Sequence, residues 1–133
     1  MAGPLPISDP APADGSLPAQ AAVGAADRTF HAYVHIPFCT VRCGYCDFNT
    51  YTPSELQDGA TLEIVSNDYI DAVLRELESA PTSPVPTIFF GGGTPSLMEP
   101  SDIARVITAI DNKFGLTEDC EITLEANPDS VTA

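Results

Sequence analysis

The sequence predicts an α/β domain built on a parallel sheet, and three observations carry that reading. Short runs rich in β-branched and aromatic residues alternate with two longer runs whose apolar residues recur at helical spacing. The order is strand, helix, strand, helix, strand, which calls for two right-handed crossovers. The segments able to carry chemistry fall at or just after the ends of the strands, where parallel sheets place their sites.

Residues 1–28 differ in composition from the rest of the chain. Ala, Pro and Gly dominate, aromatics are missing, and the charged residues are Asp9, Asp14, Asp27 and Arg28. Such a stretch buries too little apolar surface to offset its ordering entropy and is expected to be a disordered tail. A mitochondrial presequence is Arg-rich and poor in acids, and this stretch has a single Arg. The folded domain is expected over 29–133.

Phe30–Ile36 is short, β-branched and aromatic, and Pro37 stops it, so it reads as the first strand. Leu62 to Ser79 carries Val65, Tyr69, Ile70, Val73, Leu74 and Leu77 at helical spacing, with Ser66 or Asn67 as N-cap. Pro81, Pro84 and Pro86 punctuate the return. Thr87–Phe90 is an apolar strand that runs straight into Gly91-Gly92-Gly93-Thr94-Pro95. Ser101 is expected to cap a second helix with Ile103, Val106, Ile107, Ile110 and Phe114 inward and Gly115 in the C′ position. Glu121–Ala126 reads as the third strand, ended by Asn127-Pro128.

At 133 residues the chain suits one small domain or a piece of a larger one. Its formal charge of −14, from 19 acidic and 5 basic residues, argues against nucleic acid and anionic membranes, which need basic patches. It contains no apolar run of about 18 residues to span a membrane. Reduced thiols imply a reducing compartment, most simply the cytoplasm.

Cys39, Cys43 and Cys46 form a C-x3-C-x2-C run in an aromatic-flanked stretch after the first strand. Three close thiols can hold three irons of a cubane cluster and leave the fourth open to an exogenous ligand. Structural zinc is an alternative, but it wants four ligands and only three thiols lie together here. His35 could supply a fourth. Cys120 is a poorer candidate, because it opens a predicted strand at the wrong end of the sheet. Incidental thiols are the remaining reading; a disulfide staple does not suit a chain that looks unlike a small secreted scaffold.

The glycine run has neither the ending of a phosphate-binding Walker loop nor the Rossmann fingerprint. Taken alone it is a permissive βα turn. After a cluster-bearing strand, residues without Cβ suit close approach of an amino-acid moiety to the backbone, and a bulky side chain there should block it. Glu125, a carboxylate at the end of the third strand, can accept hydrogen bonds from a ribose diol. One shared pocket is expected where the three strand ends meet.

The Cys spacing is the signature of the radical S-adenosylmethionine (SAM) enzymes. With Phe-Phe-Gly-Gly-Gly-Thr-Pro-Ser (89–96) and Leu-Glu-Ala-Asn-Pro-Asp (124–129), the chain resembles the oxygen-independent coproporphyrinogen III oxidase-like family over essentially everything after residue 30. The resemblance implies the N-terminal part of a partial (β/α)6 barrel, about three parallel strands with two helices. Three strands and two helices leave an unpaired edge and an uncovered face, so a fragment of a longer protein is expected. By the resemblance Cys39, Cys43 and Cys46 ligate a [4Fe-4S] cluster whose open iron chelates SAM, and an electron from the cluster cleaves SAM to a 5′-deoxyadenosyl radical. Tyr33 reaches the SAM, the backbone around Tyr45 contacts adenine, Gly92, Gly93 and Thr94 contact SAM, and Glu125 meets its ribose. His35 lies beside the cluster.

One departure discriminates within the family. The oxidases have a further Cys two residues past the last ligand, whereas here Asp47 is followed by Phe48. The Cys-Asp-Phe-Asn form resembles the HemW-type branch, heme chaperones that pass heme to acceptor proteins. The partners implied are SAM, heme or coproporphyrinogen III, an electron donor and heme acceptors. The alternative is the oxidase, which abstracts a hydrogen from each of two propionates and releases CO2 to leave vinyl groups.

Overall fold

A computed structural model describes residues 12–131 except 15, 17, 57, 58, 81 and 82. In chain order the elements are β1 (Ala32–Ile36), a single turn α1 (Pro53–Leu56), α2 (Leu62–Ser79), β2 (Val85–Gly92), α3 (Pro100–Phe114) and β3 (Leu116–Leu124). The strands form one sheet in the order β1-β2-β3, and both pairs are parallel. The expected α/β architecture of three parallel strands with two long helices is therefore present.

Strand alternation decides which face is covered. Val34 and Ile36 of β1 lie level with Phe90 and Gly92 of β2, and Ile88 and Phe90 lie level with Ile122 and Leu124 of β3. Val34, Ile36, Ile88 and Phe90 are buried in one core with Ile70 of α2 and Val106, Ile110 and Phe114 of α3. Burying each such side chain contributes about 1.5–3 kcal/mol. The intervening residues Tyr33 and Phe89 point to the other face, where their rings stack 6.1 Å apart and stay exposed. Both helices thus cover one face and leave the other bare.

The element boundaries differ from the sequence expectation for local reasons. The N-cap of α2 is Thr61, whose hydroxyl accepts from the Ile64 N–H; Ser66 lies a turn inside and donates back to the Glu63 carbonyl. The apolar pattern starts at Leu62, so the cap precedes it. Ser101 does not cap α3 either. Pro100 opens that helix with Glu99 as N-cap, the fixed φ of proline suiting the first helical position. Gly115 ends α3 as expected, with φ of 75° and its N–H on the Asp111 carbonyl.

Strand β1 is shorter than expected, because Phe30 leaves the sheet to pack on Phe114 at 5.3 Å. Strand β2 is longer and takes in Pro86 as well as Gly91 and Gly92. Pro86 is tolerated in the central strand because the ladder to β3 is irregular between Val85 and Thr87. Strand β3 starts at Leu116, not Glu121, so Cys120 sits within it, partly buried against the core. The exposed acids Glu118 and Asp119 hide that start from a hydrophobic pattern. Pro81 lies outside the described residues. Of the stretch before the domain, Ala19–Ala22 and Ala25–Asp27 form short 3-10 turns without a buried residue. Among the described residues no helix is long and apolar enough to cross a membrane.

Candidate functional site

The loop after β1 is closed at its neck. Phe38 is buried and bridges Tyr51 in parallel, the Cys39 N–H donates to the Tyr51 carbonyl at 3.0 Å, and the Tyr51 N–H donates to the Pro37 carbonyl at 2.7 Å. Between these ends the Cys46 N–H donates to the Cys43 carbonyl at 3.1 Å, forming a turn between two of the thiols.

Arg42, inside the Cys run, clasps the far side of the loop. Its guanidinium donates to the Thr50 carbonyl, pairs with Glu55 at 3.4 Å and lies 6.0 Å from the Tyr51 ring centre. Glu55 in turn accepts from the Thr52 N–H at 2.7 Å and the Thr52 hydroxyl at 3.0 Å, which ties down the start of α1. Those Thr52 hydrogen bonds, assisted by the Arg42 charge, hold the Glu55 carboxyl below its ordinary value of 4.5.

All three cysteines of the run are free thiols; Cys39 and Cys46 are partly buried and Cys43 is exposed. The Thr94 hydroxyl reaches the Cys39 sulfur at 3.8 Å, and the Thr50 hydroxyl lies 3.6 Å from the Cys46 sulfur. Among the described residues no three His, Cys, Asp or Glu side chains converge as ligands of a single ion. A cubane asks for a different arrangement, since each thiolate takes its own corner iron. Three free sulfur donors on one neck-closed loop fit that demand.

The glycine run comes to this loop through the backbone. The Gly93 N–H donates to the Ile36 carbonyl at 2.7 Å and the Thr94 N–H to the Phe38 carbonyl at 2.8 Å. A Cβ on Gly93 would fall 2.5 Å from the Phe38 oxygen and 3.0 Å from the Cys39 sulfur. Gly92 has φ of 114°, and a Cβ there would fall 2.6 Å from the His35 ring. From the other side, the Glu125 N–H donates to the Phe90 carbonyl at 3.0 Å, and its carboxylate accepts from the Gly92 N–H at 3.3 Å. The ends of all three strands therefore meet.

His35 links the bare sheet face to the loop. Its Nε2 lies 2.9 Å from the Asn49 carbonyl and its Nδ1 3.0 Å from the Tyr33 hydroxyl. A carbonyl only accepts, so in the neutral ring Nε2 carries the proton and Nδ1 accepts from Tyr33. Both ring nitrogens are engaged, which removes His35 as a fourth metal ligand. On the other side of β1, the partly buried Tyr69 hydroxyl donates to the His35 carbonyl; burial, with Glu76 and Tyr33 nearby, pushes that phenol up.

The structure thus brings together Cys39, Gly92, Gly93, Thr94 and Glu125, and joins Tyr33 to them through His35. Tyr45 is 88 % exposed on the Cys loop. The residues form an open ledge rather than the expected pocket: Tyr33 is 59 % exposed and Glu125 is exposed. Cavities of about 390 and 440 Å³ lie beside it, one between β1 and α2, the other between His35, Tyr51 and Tyr69. Sequence reasoning missed Arg42, Asn49 and Thr50. The Thr-x-x-Glu capping signature at Thr52–Glu55 was the legible sign that the loop had an ordered end.

Comparison with known proteins agrees with this geometry. The radical SAM superfamily profile matches residues 33–132. The chain is 44 % identical over 110 residues to a heme chaperone HemW of Mycobacterium tuberculosis, covering 77 % of this chain and 26 % of the relative. It is 37 % identical over 105 residues to the Escherichia coli heme chaperone HemW, covering 76 % and 26 %. To the mouse mitochondrial radical S-adenosyl methionine domain-containing protein 1 it is 42 % identical over 98 residues, covering 74 % and 21 %. Among solved structures it is similar to the E. coli coproporphyrinogen III oxidase, a radical SAM enzyme, with a TM-score of 0.63 and 27 % identity over 77 % of this chain and 23 % of that one. The chain spans about a quarter of the length of the curated relatives it matches. With its motifs in order and their strand ends joined, the chain belongs to the radical SAM superfamily.

Proposed function

We propose that residues 29–133 are the cluster- and SAM-binding part of a cytoplasmic protein of heme metabolism, and that the whole protein is a heme chaperone delivering heme to acceptor proteins. The observation that carries the choice is Phe48. It is 72 % exposed on the Cys loop at the position where the oxidase branch has a further thiol. The identities of 37–44 % to heme chaperones support the same choice.

In this reading Cys39, Cys43 and Cys46 hold a [4Fe-4S] cluster, which when bound supplies an open iron for SAM and an electron from an external donor. Gly92 and Gly93 keep the ledge low enough for the amino-acid end of SAM to lie against backbone, and Thr94 contacts it. Tyr33, oriented by its bond to His35, reaches the same ligand. Glu125 accepts from the ribose with the carboxylate oxygen that Gly92 does not use. The backbone at Tyr45 meets the adenine.

The alternative is an oxygen-independent coproporphyrinogen III oxidase, supported by the fold shared with the E. coli enzyme at 27 % identity. Hemin titration of the full-length protein, beside anaerobic incubation with coproporphyrinogen III, SAM and reductant, separates the two. Saturable heme binding without SAM-dependent decarboxylation is the expected result. SAM-dependent appearance of protoporphyrinogen IX would overturn the chaperone assignment.

A further inference from the structure

We propose that Thr50 is a positioning residue for the cluster: its hydroxyl donates an O–H···S hydrogen bond to the Cys46 thiolate and raises the reduction potential of the cluster held there. This rests on the proposed cluster reading. The two atoms lie 3.6 Å apart, within the range of a hydrogen bond to sulfur.

The side chain is fixed in that place by its surroundings. Thr50 is 1 % exposed, so water does not compete for its hydroxyl. Its N–H donates to the Phe48 carbonyl at 2.8 Å, and its own carbonyl receives the Arg42 guanidinium. Arg42 is in turn held by Glu55 and faces the Tyr51 ring. A β-branched side chain on a backbone pinned at both ends has little freedom at χ1.

The direction of the bond follows from proton bookkeeping. In the free thiol either group can donate. A sulfur bound to iron has lost its proton and only accepts, so the hydroxyl must donate. Among the described residues the one other acceptor in reach is the Phe48 carbonyl at 3.5 Å, already engaged by the Thr50 N–H. Loading the loop with iron therefore turns an undirected contact into a directed one.

A donor on a ligand sulfur draws negative charge from it and favours the reduced cluster, which is a recognised lever on potential. Poor hydration strengthens the effect. The three sulfurs are then unequal. Cys46 has a buried hydroxyl, Cys43 is open to solvent, and Cys39 has Thr94, the residue proposed to contact SAM. Thr50 is the donor that SAM binding does not disturb.

The test uses full-length protein reconstituted anaerobically without SAM, comparing Thr50→Val, which keeps the shape and removes the hydroxyl, with Thr50→Ser, which keeps the hydroxyl. Iron and sulfide content, midpoint potential and the deuterium sensitivity of the iron–sulfur stretching bands are measured. Thr50→Val should load fully, titrate at a more negative potential and lose part of the deuterium shift, while Thr50→Ser should match the wild type. A loaded Thr50→Val with unchanged potential and isotope response overturns the proposal. If Thr50→Val fails to load, a loaded Thr50→Ser at the wild-type potential still assigns the role to the hydroxyl. Loss of the cluster in both makes Thr50 a packing residue only. A wild-type protein that takes up no iron and sulfide sinks the cluster reading itself, a failure distinct from any outcome at Thr50.

Discussion

Gly93→Ala tests whether the strand-end junction is as tight as the structure has it. The added methyl would sit 2.5 Å from the Phe38 carbonyl oxygen and 3.0 Å from both the Ile36 carbonyl oxygen and the Cys39 sulfur. Ordinary contact begins at 3.4 Å, so the backbone must open by close to an ångström. The same two carbonyls accept the Thr94 and Gly93 N–H groups at 2.8 and 2.7 Å, and opening stretches both bonds. Each contributes about 0.5–1.5 kcal/mol net, and overpacking costs about 1–3 kcal/mol. A loss of about 2–6 kcal/mol results, a large part of the stability of a small domain. Because Cys39 is among the atoms struck, iron uptake should fall together with SAM affinity, whereas sequence reasoning placed the effect on ligand approach alone. Urea unfolding and iron content of Gly93→Ala in the full-length protein, against Gly44→Ala as control, are the measurements. Gly44 lies in the same Cys loop with no atom within 4 Å of an added Cβ. A Gly93→Ala protein within about 0.5 kcal/mol of the control and with full iron would refute the reasoning.

Cys39→Ala, Cys43→Ala and Cys46→Ala should each abolish the iron and sulfide of reconstituted protein. Cys120→Ala should retain them, since that thiol lies within β3. Glu125→Ala should weaken SAM binding by about 1–3 kcal/mol through lost ribose hydrogen bonds, read by calorimetry on cluster-loaded protein; unchanged affinity would place the ribose elsewhere. The lowered carboxyl of Glu55 stabilises the loop fully above pH 4.5, and the contribution is lost as pH falls through the depressed value. Acid should therefore lower the protection of the Thr52 amide relative to its intrinsic exchange rate, since Glu55 accepts its N–H, and Glu55→Gln should show lowered protection already at neutral pH.

The α/β class, both long helices, the parallel order and the meeting of motifs at the strand ends were legible because hydrophobic period and turn residues encode them. Cap positions were less so. Ser66 is as good a capping residue as Thr61, and what decides between them is where the buried stripe begins. The start of β3 at Leu116 escaped because its pairing with Val85 precedes an irregularity that no local pattern reveals. Arg42 and Thr50 escaped for a different reason. They act through carbonyls and a neck closure that exist only once the loop is folded.

That difference bears on how the glycine run should be interpreted. Gly92 and Gly93 sit where a side chain would strike the His35 ring and the Phe38 and Ile36 carbonyls. Packing alone therefore demands glycine there, whether or not a ligand lies on the ledge. A loss of SAM binding in a glycine variant would result equally from a blocked ligand and from a displaced β1. Glu125 carries the sharper information. Its backbone is anchored by the Phe90 carbonyl, and one carboxylate oxygen receives the Gly92 N–H. The fold thus fixes the carboxylate on an exposed ledge, and among the described residues its second oxygen receives no donor. A strand end needs no carboxylate for packing, and Glu125→Ala adds no atom against β1, so a change in SAM affinity in that variant reads ligand contact without a displaced strand.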